Sequence, residues 1–249
     1  MNRLENLDYC IRYLLAQTEQ RVPIPADLDE KQRLFRALMN IWEPQPLSDE
    51  FLQAQDRELQ LQLQAKCVID PPAQPVVLWQ GDITRLRVDA IVNAANSRLL
   101  GCWAPMHHCI DNAIHSAAGL QLRAECHRLM QGQLEPTGHA RVTPAYNLPS
   151  RYVIHTVGPI ITAPQPSPEQ EGQLASCYRA CLQAAEEHGC RSLAFCCIST
   201  GEFRFPQRLA AQIALGTVAA HRGHSLQTVV FNVFKDSDYA IYRELLPEA

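Results

Sequence analysis

The chain has 249 residues, ten of them cysteine, with a net charge of −4 and no Lys/Arg-rich tract. Its length allows one ordinary domain plus an extension, or two small domains, and its charge does not suggest the clustered positive surface that grips a nucleic-acid backbone. No apolar run is long enough for a membrane helix and no signal peptide is read at the start, so the cysteines point to a reducing cytoplasm, with free thiols and a metal rather than a disulfide frame.

Leu7, Cys10, Ile11, Leu14 and Leu15 recur at helical spacing, as do Leu34, Leu38 and Ile41 after the breakers Pro23 and Pro25. Leu52, Leu59, Leu61 and Leu63 lie in a Gln-rich third segment, polar on one face, that is expected to pack on the main domain. No group of His, Cys or carboxylates with ligand spacing occurs in this part, which is expected to cover the main domain and to supply no catalytic group. Pro71, Pro72 and Pro75 mark a boundary. The expected organisation is a helical extension over residues 1–72 and a main domain over 73–249.

Beyond the boundary the texture changes. Short strands are predicted at Val76–Trp79, Ala90–Asn93, Gly138–Thr143 and Tyr152–Val157, with near-continuous apolar strands at Ser192–Ile198 and Thr228–Phe234. Helices are predicted over Asp111–Met130, Leu174–His188, Leu209–His221 and Asp238–Leu246. Strands alternating with helices imply an α/β fold, a mixed and largely parallel sheet covered on both faces. Ligands bind beyond the strand C-termini in such sheets. The polar turns Gln80–Thr84, Asn93–Cys109 and Ser199–Phe205 should gather there.

The second of these turns contains Cys102, His107 and Cys109 within one short loop. Two thiols and an imidazole at this spacing can close on a single Zn²⁺, and three protein ligands leave a fourth position open to water or substrate. His108 or His115 could take the place of His107. Cys126, Cys177, Cys181, Cys190, Cys196 and Cys197 sit in apolar or helical surroundings and read as reduced core residues. Asp82 follows a strand directly, where a carboxylate can accept from an exocyclic amine or cap a turn. Asn93 and Asn96 can hold sugar hydroxyls or shape their own turn. Ser199-Thr-Gly-Glu-Phe203 follows a buried strand; its Gly201 permits close approach and its consecutive N–H groups suit a diphosphate. Asp111 lies two residues after Cys109 at a helix start, where the helix dipole favours an anion and where a carboxylate can act on water near a metal.

The combination resembles a macrodomain. Leu78-Trp-Gln-Gly-Asp-Ile-Thr84 and Val88-Asp-Ala-Ile-Val-Asn-Ala-Ala-Asn96 match its opening, and Ile114-His-Ser-Ala-Ala-Gly119, Thr137-Gly138, Tyr152-Val-Ile-His-Thr-Val-Gly-Pro159 and Ile198-Ser-Thr-Gly201 continue the match in order. The glycine-rich loop usual in that family is replaced by Gly101 to Asp111, which, with the helical extension, is similar to the zinc-dependent macrodomain subfamily. Met106 stands where many members of that subfamily carry a further cysteine. The resemblance implies a three-layer α/β/α fold and a microbial protein-ADP-ribose hydrolase with one zinc per chain on Cys102, His107 and Cys109. It places Asp82 and Ile83 on adenine, Asn96 on the distal ribose, Ile110 and Asp111 beside that ribose and the diphosphate, and Ser199, Thr200, Gly201, Glu202 and Phe203 around the diphosphate and distal ribose. Asp111 and Asn96 are the catalytic residues it implies. Its implied partners are ADP-ribose, a mono-ADP-ribosylated protein such as a lipoyl-carrier-type protein, and a sirtuin-type ADP-ribosyltransferase. The alternatives are a reader module with a structural zinc and an O-acetyl-ADP-ribose deacetylase.

Overall fold

The computed structural model describes residues 2–18, 20–221 and 223–246. It opens with three helices, α1 (Arg3–Leu15), α2 (Leu28–Ile41) and α3 (Asp49–Lys66). Each begins on a side chain that accepts a first-turn N–H: Asn2 from Glu5, Asp27 from Glu30 and Ser48 from Phe51. Their apolar faces meet in a hydrophobic cluster of their own, around Leu7, Ile11, Phe35, Leu38 and Phe51. The predicted leucine face of α3 is only partly right: Leu61 and Leu63 are half-buried, while the polar Gln55 and Glu58 are fully buried. Burial is tolerated because both are paired. Glu58 accepts from Arg3 and Gln32, and Gln55 donates to Gln121 and accepts from the Leu120 N–H.

Six strands follow: β1 (Val76–Gln80), β2 (Ala90–Ala94), β3 (Ala140–Pro144), β4 (Tyr152–Thr156), β5 (Ser192–Phe195) and β6 (Thr228–Val233). They form one sheet in the order β1-β6-β5-β2-β4-β3. All neighbours pair parallel except β3 with β4 at one edge. Between the strands lie α4 (Ile110–Ala118), α5 (Leu120–Met130), α6 (Pro168–Glu187) and α7 (Gln207–Ala220), and α8 (Asp236–Leu245) closes the chain. α4 packs on α5, and α6 on α7 and α7 on α8, so two helical layers enclose the sheet. This is the expected three-layer α/β/α architecture, with a core built on β2, β5 and β6 around Ile91, Leu193, Ala194, Val230 and Phe231.

Several boundaries differ from expectation, α6 for instance starting at Pro168 rather than Leu174, and two differences change the layout. The single helix predicted over 111–130 is broken at Gly119, whose φ of +97° no residue with a Cβ adopts easily. The new start at Leu120 is capped from outside by Gln55, 65 positions away in sequence. The strand predicted over 192–198 ends at Phe195, and residues beyond it turn into the site. All ten cysteines are free thiols, as expected. No helix among the described residues is long and apolar enough to cross a membrane.

Candidate active site

Because β1, β2, β5 and β6 are parallel, their C-terminal ends share one edge of the sheet. The turns after them surround a cavity of about 680 Å³, within the range of sites for small ligands. Asp82, Ile83, Asn96, Cys102, His107, Cys109, Ile110, Asp111 and the turn Ser199–Phe203 all line it. The sequence-predicted residues are therefore brought together.

Asp82 caps a short 3-10 turn, Ile83–Arg85, with Oδ1 accepting from the Thr84 N–H at 3.0 Å and the Thr84 hydroxyl at 2.6 Å. Burial pushes its carboxyl up, but the Thr84 bonds and the Lys66 ammonium hold it below the usual range, so it stays ionised. Lys66 Nζ lies 3.1 Å from Oδ2. That pair is half-exposed on the Lys66 side and contributes little; a better donor can displace it.

Asp111 also lines the cavity, from a buried position. It is 5% exposed in the first turn of α4. Asn93 Nδ2 donates to its Oδ1 at 2.8 Å and Asn96 Nδ2 to its Oδ2 at 3.3 Å. Burial raises its carboxyl to about 6 against these two amides and the Arg123 guanidinium. Asn93, which the sequence left between turn and ligand roles, lies inside the core (0% exposed) and supports Asp111. Its Nδ2 also donates to His155 Nδ1 at 3.1 Å. Reversing the Asn93 amide would turn its oxygen onto the carboxylate, so the donor assignment is fixed by the partner. His155 Nδ1 then accepts, its Nε2 carries the proton, and that N–H donates to Thr143 Oγ1 at 3.0 Å. Burial pulls His155 down to about 3, so it is neutral.

Cys102, His107 and Cys109 present donor atoms within 4.8 Å of one another, all half-buried. Cys102 Sγ lies 3.5 Å from His107 Nδ1, and Cys109 caps α4 by accepting from the Asn112 N–H at 3.4 Å. Without a cation, burial, with Cys102 and Asp111 adding to it, pushes the Cys109 thiol up to about 12. Of the three candidate histidines, His107 is the one placed with both thiols. His115 belongs to a second group, with Cys126 and His155, that also falls within 4.8 Å. That group is fully buried, and its His155 has no lone pair left to give. His115 Nε2 lies 3.5 Å from Asp111 Oδ1, but burial, with His155 and Arg123, holds His115 well below its usual value, so no ion pair forms.

The turn after β5 is closed by Phe205 N–H to Ser199 O (2.9 Å) and Arg204 N–H to Gly201 O (3.0 Å). Ser199 has φ +65° and a buried hydroxyl without a hydrogen-bond partner. A Cβ on Gly158 would lie 1.9 Å from that hydroxyl, so Gly158 gives the turn its room. A Cβ on Gly201 would meet open space, which leaves that backbone approachable.

Two parts of the wall were missed. Phe234 was read as the last residue of a buried strand; β6 ends at Val233, and Phe234 lines the cavity 75% exposed. The aromatic at the strand end, followed by Lys235, was the available signal. The extension also supplies a wall, from Phe35, Arg36 and Met39 of α2 and Leu59 and Lys66 of α3. Nothing local in the sequence announces this contact.

Comparison with known proteins agrees with this architecture. A family model described as Macro domain matches residues 92–214. The chain is 47% identical to a protein-ADP-ribose hydrolase of Treponema medium, over 99% of this chain and 100% of that protein. It is 46% identical to a protein-ADP-ribose hydrolase of Staphylococcus aureus (strain MSSA476), over 89% and 86%. Among solved structures, it is similar to a Trypanosoma brucei macrodomain in complex with ADP-ribose, with 31% identity and a TM-score of 0.64 over 85% of this chain and 95% of that one.

Proposed function

This chain belongs to the macrodomain family, and we propose that it is a zinc-dependent hydrolase that removes mono-ADP-ribose from modified protein side chains. The hydrolase activity on protein-linked ADP-ribose follows from relatives of that name that match over nearly the whole chain. The observation that carries the catalytic reading is the buried Asp111, fixed by two amides, two residues from a Cys–His–Cys cluster on the same cavity wall.

In this reading adenine lies against Asp82, Ile83 and Phe234, with the Asp82 carboxylate accepting from its exocyclic amine and the Phe234 ring stacking on its face. The diphosphate rests in the turn Ser199–Phe203, where the free Ser199 hydroxyl can donate. The distal ribose lies between Phe203 and the start of α4, within reach of Asn96 and Ile110. Asn93 holds Asp111 Oδ1 at the shorter distance, so Oδ2 is the atom turned to water and the one that takes or orients its proton. The amides of Asn93 and Asn96 keep the carboxylate in one rotamer while it does so.

Two thiols and one imidazole within a single ligand sphere fit zinc by donor chemistry, and three protein ligands fit the open kind of site. Zinc, when bound by Cys102, His107 and Cys109, supplies Lewis acidity at the position those residues leave free. The Cys109 thiol must lose its proton for this, which a divalent cation favours and burial alone opposes.

The boundary between extension and macrodomain is placed at residues 72 and 73, and the extension serves as one wall of the site. The partners this reading implies are a mono-ADP-ribosylated protein, of the lipoyl-carrier type, and a sirtuin-type transferase that installs the mark. Ten free cysteines support a cytoplasmic location. The test is incubation with a mono-ADP-ribosylated protein and mass spectrometry of both products. Free ADP-ribose and unmodified protein are expected. Tight binding without release would make the molecule a reader instead.

A further inference from the structure

We propose that the extension holds the metal-binding loop in its ligand-ready shape, through Asn40 of α2 acting on Met106 and Asn112, and through Arg123 of α5. The inference rests on the reading of Cys102, His107 and Cys109 as a metal site.

The loop from Gly101 to Cys109 contains no regular helix or strand. It bends through positive φ twice, at Gly101 (+76°) and at Met106 (+58°). The second bend is made by a residue with a long side chain, a conformation that persists only when the surroundings impose it. Met106 immediately precedes His107, so this bend sets where the imidazole stands relative to the two thiols.

What imposes the bend comes from the extension. The Met106 N–H donates to Asn40 Oδ1 at 3.0 Å. Asn112 Nδ2 donates to the same Oδ1 at 3.0 Å and to Ala104 O at 3.1 Å. Asn40 Nδ2 donates to Ser116 Oγ at 3.0 Å, which locks the amide orientation. Asn40 and Asn112 are 1% and 0% exposed, so both amides make these bonds from buried positions. Asn112 also receives the loop's end, since its N–H donates to Cys109 Sγ.

Arg123 holds the loop's first half. Its guanidinium is 2% exposed and donates to the carbonyls of Met39, Asn40 and Trp42 at the C-terminal end of α2, where a cation is favoured. The same group donates to Cys102 O at 3.4 Å and lies 4.5 Å from the Trp103 ring centroid. The loop is thus fastened at Cys102, Trp103, Ala104 and Met106. These four fastenings lead directly, or through Arg123 or Asn112, to the last turn of α2, while Gly101 O is held separately by Asn96 Nδ2 at 2.9 Å.

Interactions of this kind orient ligands without touching the metal, and their loss costs metal affinity about 10- to 100-fold. Asn40 and Arg123 are therefore positioning residues. General glue between two parts of a protein would raise stability and leave metal affinity alone.

The experiment is competition for zinc against a chromophoric chelator, on the full chain, for wild type, Asn40→Ala and Leu38→Ala. Leu38 is buried in the extension's own core and is not part of these fastenings. Asn40→Ala is expected to weaken zinc binding about 10- to 100-fold. Leu38→Ala is expected to lower the melting temperature and leave zinc affinity unchanged. Zinc affinity that falls equally in both variants overturns the proposal, because affinity then follows stability alone. Wild-type protein that binds zinc, with Asn40→Ala binding it as tightly, overturns the clamp and leaves the metal reading standing. Wild-type protein that takes up no zinc removes both. If Asn40→Ala does not fold, hydrogen exchange on metal-free wild type decides. The Met106 amide is expected to be protected like the helix amides of α2, and exchange at the rate of a free loop overturns the proposal.

Discussion

Replacing Asn93 by alanine tests how the carboxylate at the centre of the site is held. Asn93 Nδ2 is shared between Asp111 Oδ1 and His155 Nδ1 inside the core. Losing the bond to an ionised carboxylate costs about 1.5–3 kcal/mol, and an unsatisfied buried imidazole nitrogen costs about 1–3 kcal/mol more. One term opposes these. Asn93 Oδ1 is itself buried and unpaired, so its removal relieves a penalty of about 1–3 kcal/mol. The net is a destabilisation of about 2 kcal/mol, or about 4–8 °C in melting temperature for a chain of this size. Hydrolysis should suffer separately, through kcat more than KM, because Asn93 touches Asp111 and not the nucleotide. Calorimetry and steady-state kinetics on Asn93→Ala measure both. In a cycle with Asp111→Ala the two substitutions should couple by about 0.5–3 kcal/mol. An Asn93→Ala protein that melts and turns over as wild type does would refute the chain from His155 through Asn93 to Asp111.

Asp82→Ala should weaken ADP-ribose binding by about 1.5–3 kcal/mol, the loss of a hydrogen bond to a charged group, and calorimetric affinities equal to wild type would remove Asp82 from the adenine subsite. Phe234→Ala should cost about 1–3 kcal/mol in the same titration, with ribose 5-phosphate binding unaffected. Glu186 gives a pH test remote from the site. Burial pushes its carboxyl up, but Ser225, through its hydroxyl and N–H, and the Leu226 N–H hold it down to about 2 from 4.5. A depressed carboxyl stabilises fully above its unfolded value and loses that contribution as pH falls through the folded one. Urea unfolding between pH 5 and about pH 2 should therefore narrow the gap between wild type and Glu186→Gln, and a constant gap would contradict this.

The sheet and its site edge were legible because parallel strands buried on both faces read as short apolar runs, and the runs at 76, 90, 152, 192 and 228 each end in a polar or glycine-containing segment. The helices of the extension were legible from 3.6-residue periodicity. The break between α4 and α5 was not. A single glycine is tolerated within a helical pattern; here Gly119 takes φ +97° at the end of α4, and the new start of α5 is capped by Gln55 from a distant helix. The cluster of Cys102, His107 and Cys109 was legible because side chains of ligand type that lie close in sequence leave their signal there. Asn93 was not assigned, since its partners Asp111 and His155 are 18 and 62 positions away. The wall from α2 and α3 was invisible for the same reason: tertiary packing puts Arg36 and Lys66 on the cavity, and neither stands in a motif.

Asp111 and the Cys102–His107–Cys109 cluster are proposed to act on one substrate in one cavity. Single-turnover release of ADP-ribose from a mono-ADP-ribosylated protein decides this, run with wild type and Asp111→Ala, each assayed for zinc content and ADP-ribose affinity in the same preparation. About one zinc per chain is expected in both proteins, with ADP-ribose binding retained. Asp111→Ala is expected to lose roughly 10²-fold or more in rate. An Asp111→Ala protein that carries zinc and releases ADP-ribose at the wild-type rate would contradict that joint action.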